Sequence, residues 1–297
     1  MPEHTPAAGA VLDHAALTHP GAYPVLRDVS ARYADLGPDG GVTAVALAHW
    51  FEDARVGVEL PAFRALVEDG GFGAFRILLA AQRLERLAPM AWTEKFRIGL
   101  GVRRIGGSSF TYGYGVFADE RCVALGDTVT VFGTAAGSAQ LPDALRGDLA
   151  GLLLDEPDAP PTYAPEGWRR DRASYPWSVG LRARVGDIDT NRHVNNVALV
   201  GWYADAVAAL DEEVLGSGWG GPPPELAPTA VTVQYVAEVG YPATYDVGVT
   251  VLEVDEQTVR YGCGLFLGDR CVGLADAVGG RGSLPGSALD TLGPARA

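Results

Sequence analysis

Cysteine is scarce in this 297-residue sequence, with three residues, at 122, 263 and 271. An odd number without metal-ligand spacing excludes a disulfide framework and a thiolate zinc site, so reduced, buried thiols are expected. The histidines, at 4, 14, 19, 49 and 193, also lack ligand spacing, and no metal site is suggested. There is no Gly-x-Ser-x-Gly elbow and no Walker-type loop, which removes serine-hydrolase and nucleotide-hydrolase chemistry, and no cofactor is expected. No stretch approaches the roughly 20 apolar residues that a membrane-spanning helix needs. The opening MPEHTPAAGAVLDHAALTHP has neither a basic start nor an apolar run, so no secretory signal and a cytoplasmic location are expected. Positive charge is short too: 23 Lys and Arg stand against 37 Asp and Glu, a net charge of −14 with a pI near 4.7. Such a surface repels a phosphate backbone, which argues against a nucleic-acid partner. An anionic ligand would need a local basic patch. Trp168-Arg169-Arg170-Asp171-Arg172 offers one, with Arg169 and Arg170 as candidate binding residues, and Arg103-Arg104 another. Solvated surface is the plainer reading of both.

What is present is a composition of 47% hydrophobic and 20% charged residues, enough to build a sizeable core. It is also a duplication. The stretch from Ala31 to Ala54, ARYADLGPDGGVTAVALAHWFEDA, aligns with Ala183 to Ala206, ARVGDIDTNRHVNNVALVGWYADA, at an offset of 152 with 10 of 24 positions identical. A second pair, YGYGVFADERCVALGDTV from Tyr112 and YGCGLFLGDRCVGLADAV from Tyr261, matches at 10 of 18 positions with an offset of 149. A three-residue length change therefore falls between the two matched blocks.

Each copy reads in the same order. A strand (Val25–Tyr33; Trp177–Val185) leads through a polar turn into a helix (Thr43–Leu60; Asn195–Leu215). Val197, Val200, Ala204 and Val207 recur at three- and four-residue steps and give the second helix one apolar face. Strands rich in Val, Thr, Tyr and Phe follow at Pro228–Val239, Thr244–Val254, Thr258–Leu267 and Arg270–Val278, and between Phe75 and Phe132 in the first copy. One strand, one long helix and an antiparallel run of strands is an α+β pattern in which a sheet wraps a helix. The expected organisation is a first copy over 21–133, a linker over 134–175 and a second copy over 176–279. The linker holds a short helix near Leu141–Leu153 and a proline-rich connector, DEPDAPPTYAPEG. The first 20 or so residues and the tail after Gly279 read as loosely ordered.

The run Asp187-Ile-Asp-Thr-Asn-Arg-His-Val-Asn-Asn196 closely resembles the signature of acyl-acyl-carrier-protein (acyl-ACP) thioesterases, and more distantly that of 4-hydroxybenzoyl-CoA thioesterases. The family pattern is Asp-x-Asn-x-His-Val-Asn-Asn followed by a helix with a central Trp. Asp189, Asn191, His193, Val194, Asn195, Asn196 and Trp202 fit it. A Tyr-x-x-Glu-Cys element is met by Tyr235-Val-Ala-Glu238-Val239, where Val239 replaces the cysteine and excludes a thiolate nucleophile there. The match is specific over Arg184–Trp202 and weaker over Thr232–Val239. The resemblance implies a tandem duplicated hotdog fold, each copy an antiparallel sheet wrapped around a long helix, and hydrolysis of an acyl thioester carried by coenzyme A or by an acyl carrier protein. In the first copy Gly37, Asp39 and Gly41 stand at the positions of Asp189, Asn191 and His193, so one site per chain is expected.

These residue types suit the reaction. A carboxylate at Asp189 can be the nucleophile or the base that activates water. The helix that follows presents unpaired N–H groups at its start, and by analogy with the aryl-CoA enzymes the Asn196 amide polarises the carbonyl. Asn191 and His193, two apart in an irregular turn, can face one pocket, and Glu238 on a strand can share base duty. Singly, Asp189, Asn191 and Asn195 would read as turn and cap residues. Glu52 in the first helix reads as a solvated carboxylate, although the interface of the copies offers it a route to the site. Two other readings compete: a hotdog hydratase or dehydratase, which leaves the thioester intact, and a non-catalytic acyl-thioester binding module. The acidic charge leans towards CoA, since carrier proteins are themselves acidic. Two copies in one chain can stand in for a hotdog dimer, so the expected assembly is a monomer or a homodimer of double hotdogs.

Overall fold

The computed structural model describes residues 15–70, 75–134, 136–155, 163–190, 192–215, 228–281 and 286–293. The first copy runs β1 (Val25–Ser30), α1 (Ala44–Val56), α2 (Pro61–Gly70), β2 (Arg76–Arg86), β3 (Lys95–Ile105), β4 (Ser109–Ala118) and β5 (Arg121–Thr134). A two-residue strand, β6 (Gly137–Ser138), and α3 (Asp143–Ala150) lie between the copies. The second copy runs β7 (Trp177–Arg182), α4 (Asn196–Leu215), β8 (Ala230–Tyr235), β9 (Thr244–Val254), β10 (Thr258–Leu267) and β11 (Arg270–Gly280), and α5 (Gly286–Thr291) follows. The fold is α+β, a tandem hotdog as the sequence implied.

The long helices sit where the repeat places them. Thr43 caps α1 by accepting from the Ala46 N–H at 3.1 Å, and Asn195 caps α4 by accepting from Val197 at 2.7 Å. Equivalent tryptophans then fix each helix on its sheet: Trp50 packs on Phe96 and Trp202 on Tyr245, with ring centroids 5.5 and 5.6 Å apart. Burial of such a ring dominates its local packing, and truncation to alanine costs about 3–5 kcal/mol. The buried face of α4 is broader than the sequence stripe, because Leu199, Trp202, Tyr203, Ala206 and Leu210 are buried along with Val197, Val200 and Val207.

All but one of the strands form a single antiparallel path in the order β1-β3-β4-β5-β2-β8-β11-β10-β9-β7, with β6 on β5. The copies join through β2 and β8. There Arg83 stands opposite Thr232, and these are equivalent positions at the 149 offset; Ala81 opposite Gln234 is mirrored by Glu85 opposite Ala230. A pseudo-twofold axis therefore passes through the Arg83/Thr232 pair. The two copies share one sheet and bring α1 and α4 into contact.

Several boundaries differ from the sequence reading. β8 stops at Tyr235 rather than Val239, because the Val236 and Ala237 N–H groups both turn to the Val272 carbonyl and break the alternation of the ladder. Glu238 is thus on a loop, not a strand. Residues 15–22 are not loose: they form two 3₁₀ turns around buried Leu17, and the Tyr23 hydroxyl donates to the Leu17 carbonyl at 3.0 Å. In the tail, Leu289 is buried and the Leu292 carbonyl accepts from Val251 at 2.7 Å. Helix α2 was not anticipated. Most of the proline-rich connector lies outside the described residues.

Candidate active site

The motif of the second copy forms a loop closed by one backbone bridge. Ile188 pairs with Val194, and inside that pair the Asp189 N–H donates to His193 O at 3.0 Å and the Arg192 N–H to Asp189 O at 3.0 Å. Arg192 takes φ 63°, a left-handed conformation costly for a residue with a Cβ. Its counterpart in the first copy, Gly40, holds φ 75° within the same hydrogen bonds, Gly37 to Gly41 and Gly40 to Gly37. The backbone loop is common to both copies, and the motif side chains are not.

Half-buried Asp189 accepts at Oδ1 from the His193 N–H at 3.3 Å. The His193 ring points the other way, with Nε2 3.3 Å from Glu238 Oε2 and about a third of the side chain exposed. Arg76 of β2 donates to the other Glu238 oxygen at 2.9 Å, so the first copy holds this carboxylate. The loop carrying Glu238 is anchored next door, where the Val194 N–H donates to Val239 O at 2.8 Å. Asn191 lies outside the described residues.

At the start of α4, the Asn196 N–H meets no acceptor among the described residues. The Asn196 carboxamide is bracketed: its Oδ1 accepts from Arg55 at 3.2 Å, and its Nδ2 donates to Gln82 Oε1 at 3.3 Å. The Tyr235 hydroxyl also donates to Gln82 Oε1, at 3.2 Å. Asn195 caps the helix with Oδ1 and donates through Nδ2 to Glu52 Oε1 at 3.1 Å. Glu52 is therefore not simply solvated, as its sequence setting suggested; it reaches the second copy's helix across the interface. Arg55, Gln82 and Arg76 carry no motif and were not singled out. Only their place opposite α4 and β8 reveals them.

The expected basic patch is corrected. Arg169 is buried in an ion pair with Asp276 and also donates to the Ala275 carbonyl at 2.6 Å, so it holds the fold together and is closed to a ligand. Arg170 is exposed and Arg172 pairs with Asp246 at 3.1 Å. Arg103 is likewise buried, on Asp127 at 3.3 Å. Of the cysteines, Cys263 is fully buried and its thiol is pushed up to about 12, chiefly by burial; Cys122 and Cys271 are half-buried, and all three are free.

A cleft of about 430 Å³ opens at the counterpart position in the first copy, lined by Asp39, Gly40, Gly41, Arg86, Met90 and Thr229 among others. It offers no imidazole. The pseudo-symmetric place of His193 is taken by Gly41, and that of Val239 by Met90, whose carbonyl accepts from Val42 at 3.1 Å.

Residues 174–265 match the sequence profile of the acyl-ACP thioesterase C-terminal domain. No curated protein sequence matches the chain. Among solved structures it is similar to the 12:0-ACP thioesterase from Umbellularia californica, with a TM-score of 0.66 and 15% identity over 86% of this chain and 97% of that one. It is similar also to an acyl-ACP thioesterase from Bacteroides thetaiotaomicron, with a TM-score of 0.62 and 17% identity over 86% of this chain and 96% of that one. At these identities the structural likeness speaks for the fold, and the profile match speaks for the second copy. Together they give the chain a double-hotdog fold whose second copy carries the thioesterase profile.

Proposed function

We propose that this protein hydrolyses an acyl thioester to a free acid and a thiol at one site, built by the second copy and completed by the first. The observation that carries the proposal is the His193 ring 3.3 Å from Glu238, on the same pre-α4 loop in which the Asp189 carboxylate accepts the His193 backbone N–H. A thioester carbonyl needs a nucleophile and a donor for the oxyanion. Asp189 serves either as the nucleophile or as the base for water, and the Asn196 N–H is the oxyanion donor, a type of contact worth about 100- to 1000-fold in rate. His193 and Glu238 hold and polarise the attacking water, and Asn191 belongs to the same set. Water adds its oxygen to the acyl carbon, the C–S bond breaks, and the proton passes to the thiolate.

The copies are proposed to span 21–133 and 176–279, joined by 134–175. Because they already pair through β2 and β8, a monomer suffices, and a homodimer of double hotdogs is the alternative. The relatives' names point to a carrier-protein thioester, and the net charge of −14 favours CoA. Free-thiol release from a panel of aromatic, short, medium and long acyl-CoAs, repeated on acyl-ACP, decides between them. Consumption of substrate without thiol release would mark a hydratase or dehydratase instead. Binding without any turnover would mark an acyl-thioester binding module.

A further inference from the structure

We infer that α1 of the first copy is the positioning half of the site: Glu52 and Arg55, one turn apart, clamp the two asparagines that begin α4. The inference rests on the proposed function for its kinetic consequence, and on geometry alone for the clamp. Glu52 takes the Nδ2 of Asn195 at 3.1 Å, and Arg55 donates to the Oδ1 of Asn196 at 3.2 Å. Glu52 and Arg55 are themselves 3.7 Å apart, and the Arg55 side chain is only 9% exposed. A buried guanidinium is costly unless its bonds fix something in place.

The pseudo-twofold axis supplies the comparison that makes this more than packing. Every position in the clamp has a twin at the other end of the interface. At the helix offset of 152, Glu52 and Arg55 correspond to Ala204 and Val207, while Asn195 and Asn196 correspond to Thr43 and Ala44. At the sheet offset of 149, Gln82 corresponds to Val231. The twin set has lost or never held these polar partners: one end is charged and hydrogen-bonded, the other is largely apolar. The first copy lacks a motif but carries the clamp; the second carries the motif but not the clamp. Each half has what the other half's helix start requires.

The clamp is also incomplete by itself. One terminal nitrogen of Arg55 (NH1) and the Nε2 of Gln82 are buried without an acceptor among the described residues, and both side chains bond the Asn196 carboxamide. Buried donors of this kind are few in folded proteins.

The test is Arg55→Met, which keeps the aliphatic volume and removes the charge and donors, alongside Glu52→Ala, Asn196→Ala and the Arg55→Met/Asn196→Ala pair, all in the full chain. On the thioester turned over by the parent, Arg55→Met is expected to lower kcat by about 10- to 100-fold with KM within about threefold, as small misplacements of a reacting group do. Because Arg55 acts through Asn196, the double variant is expected to be no slower than Asn196→Ala alone. Arg55→Lys is expected to recover little, since one ammonium cannot reproduce the guanidinium fork. The structural arm needs no turnover: amide exchange at Val197 and Leu199, both bonded to Asn195, is expected to speed up by about tenfold in Arg55→Met, with β4 and β10 unchanged. Unaltered exchange at these two amides, or kinetic effects of Arg55→Met and Asn196→Ala that simply multiply, would overturn the clamp. If the parent releases no thiol from any substrate, the proposed function fails, and the exchange arm still decides the clamp.

Discussion

His193 Nε2 lies 3.3 Å from one oxygen of Glu238, and Arg76, reaching over from the first copy, bonds the other at 2.9 Å. The carboxylate is thus shared between the imidazole of the second copy and a guanidinium of the first. Both ends of the Arg76–Glu238 pair are about half exposed, so the pair contributes little to stability, typically about 0–1 kcal/mol. Its value is in orientation. Glu238→Ala is expected to lower kcat/KM by about 100-fold, the usual scale for losing an acid–base partner, and Arg76→Ala by well under tenfold. Steady-state thiol release on both variants checks this; equal losses would mean that the guanidinium, not the carboxylate, is what the reaction needs.

Asp189 accepts the His193 backbone N–H within the loop, which fixes its carboxylate in the turn whichever chemical role it takes. Asp189→Asn preserves that hydrogen bond and removes the charge. It is expected to reduce kcat by at least about 100-fold while a substrate analogue still binds. Turnover comparable with the parent would remove Asp189 from the mechanism.

The first copy has the same loop backbone with Gly37, Asp39 and Gly41 in place of Asp189, Asn191 and His193. Gly41→His is therefore expected to leave turnover unchanged, and active-site titration of the parent should count one site per chain. A stoichiometry of two would contradict the asymmetry on which the clamp also rests.

Much of this is legible in the chain itself. The duplication was legible because core positions repeat: Trp50 and Trp202 match in sequence and do the same work against Phe96 and Tyr245. Asp189 and His193 were legible because their spacing sits in one continuous turn. Glu238 is reached through the resemblance to the Tyr-x-x-Glu-Cys element, but its strand assignment fails where Val236 and Ala237 share a carbonyl, a bulge that no residue type announces. Glu52 is visible in the sequence only as a solvated carboxylate with a route to the site, and Arg55, Gln82 and Arg76 stay hidden, because their roles come from pairing β2 with β8, a contact between residues about 150 apart. Arg169 misled for the same reason: its partner Asp276 is 107 residues away.

That buried pair makes its own prediction. Arg169 bonds Asp276 and two backbone carbonyls, and the Tyr163 hydroxyl donates to the same carboxylate at 2.9 Å. Arg169→Ala leaves the Asp276 carboxylate with Arg260, 3.2 Å away, and Tyr163, but strips the donor from two buried carbonyls, and is expected to cost about 1–3 kcal/mol in denaturant unfolding. Under conditions where the variant remains folded, KM for a CoA thioester should not change. A raised KM with intact stability would return Arg169 to the substrate.

Asp211 provides a stability test independent of catalysis. It lies on the buried face of α4, 2% exposed, accepting at Oδ1 from the Tyr261 hydroxyl at 3.0 Å, while Oδ2 has no partner among the described residues. Burial pushes its carboxyl up to about 7, against the opposing pull of the Tyr261 hydrogen bond. In the unfolded chain the same group titrates near 3.9. Above pH 7 the folded protein must therefore hold a buried charge that the unfolded chain holds in water, and this destabilises the fold. As pH falls from about 7 towards 4, the folded state takes up a proton before the unfolded state does, and the penalty is relieved. The full difference is about 3 pH units, or roughly 4 kcal/mol at most. Asp211→Asn keeps the acceptor for Tyr261 and carries no charge. Its Tm should exceed the parent's most above pH 7, and the gap should narrow steadily towards pH 4. A gap that stayed constant with pH would mean that Asp211 is not the group responsible.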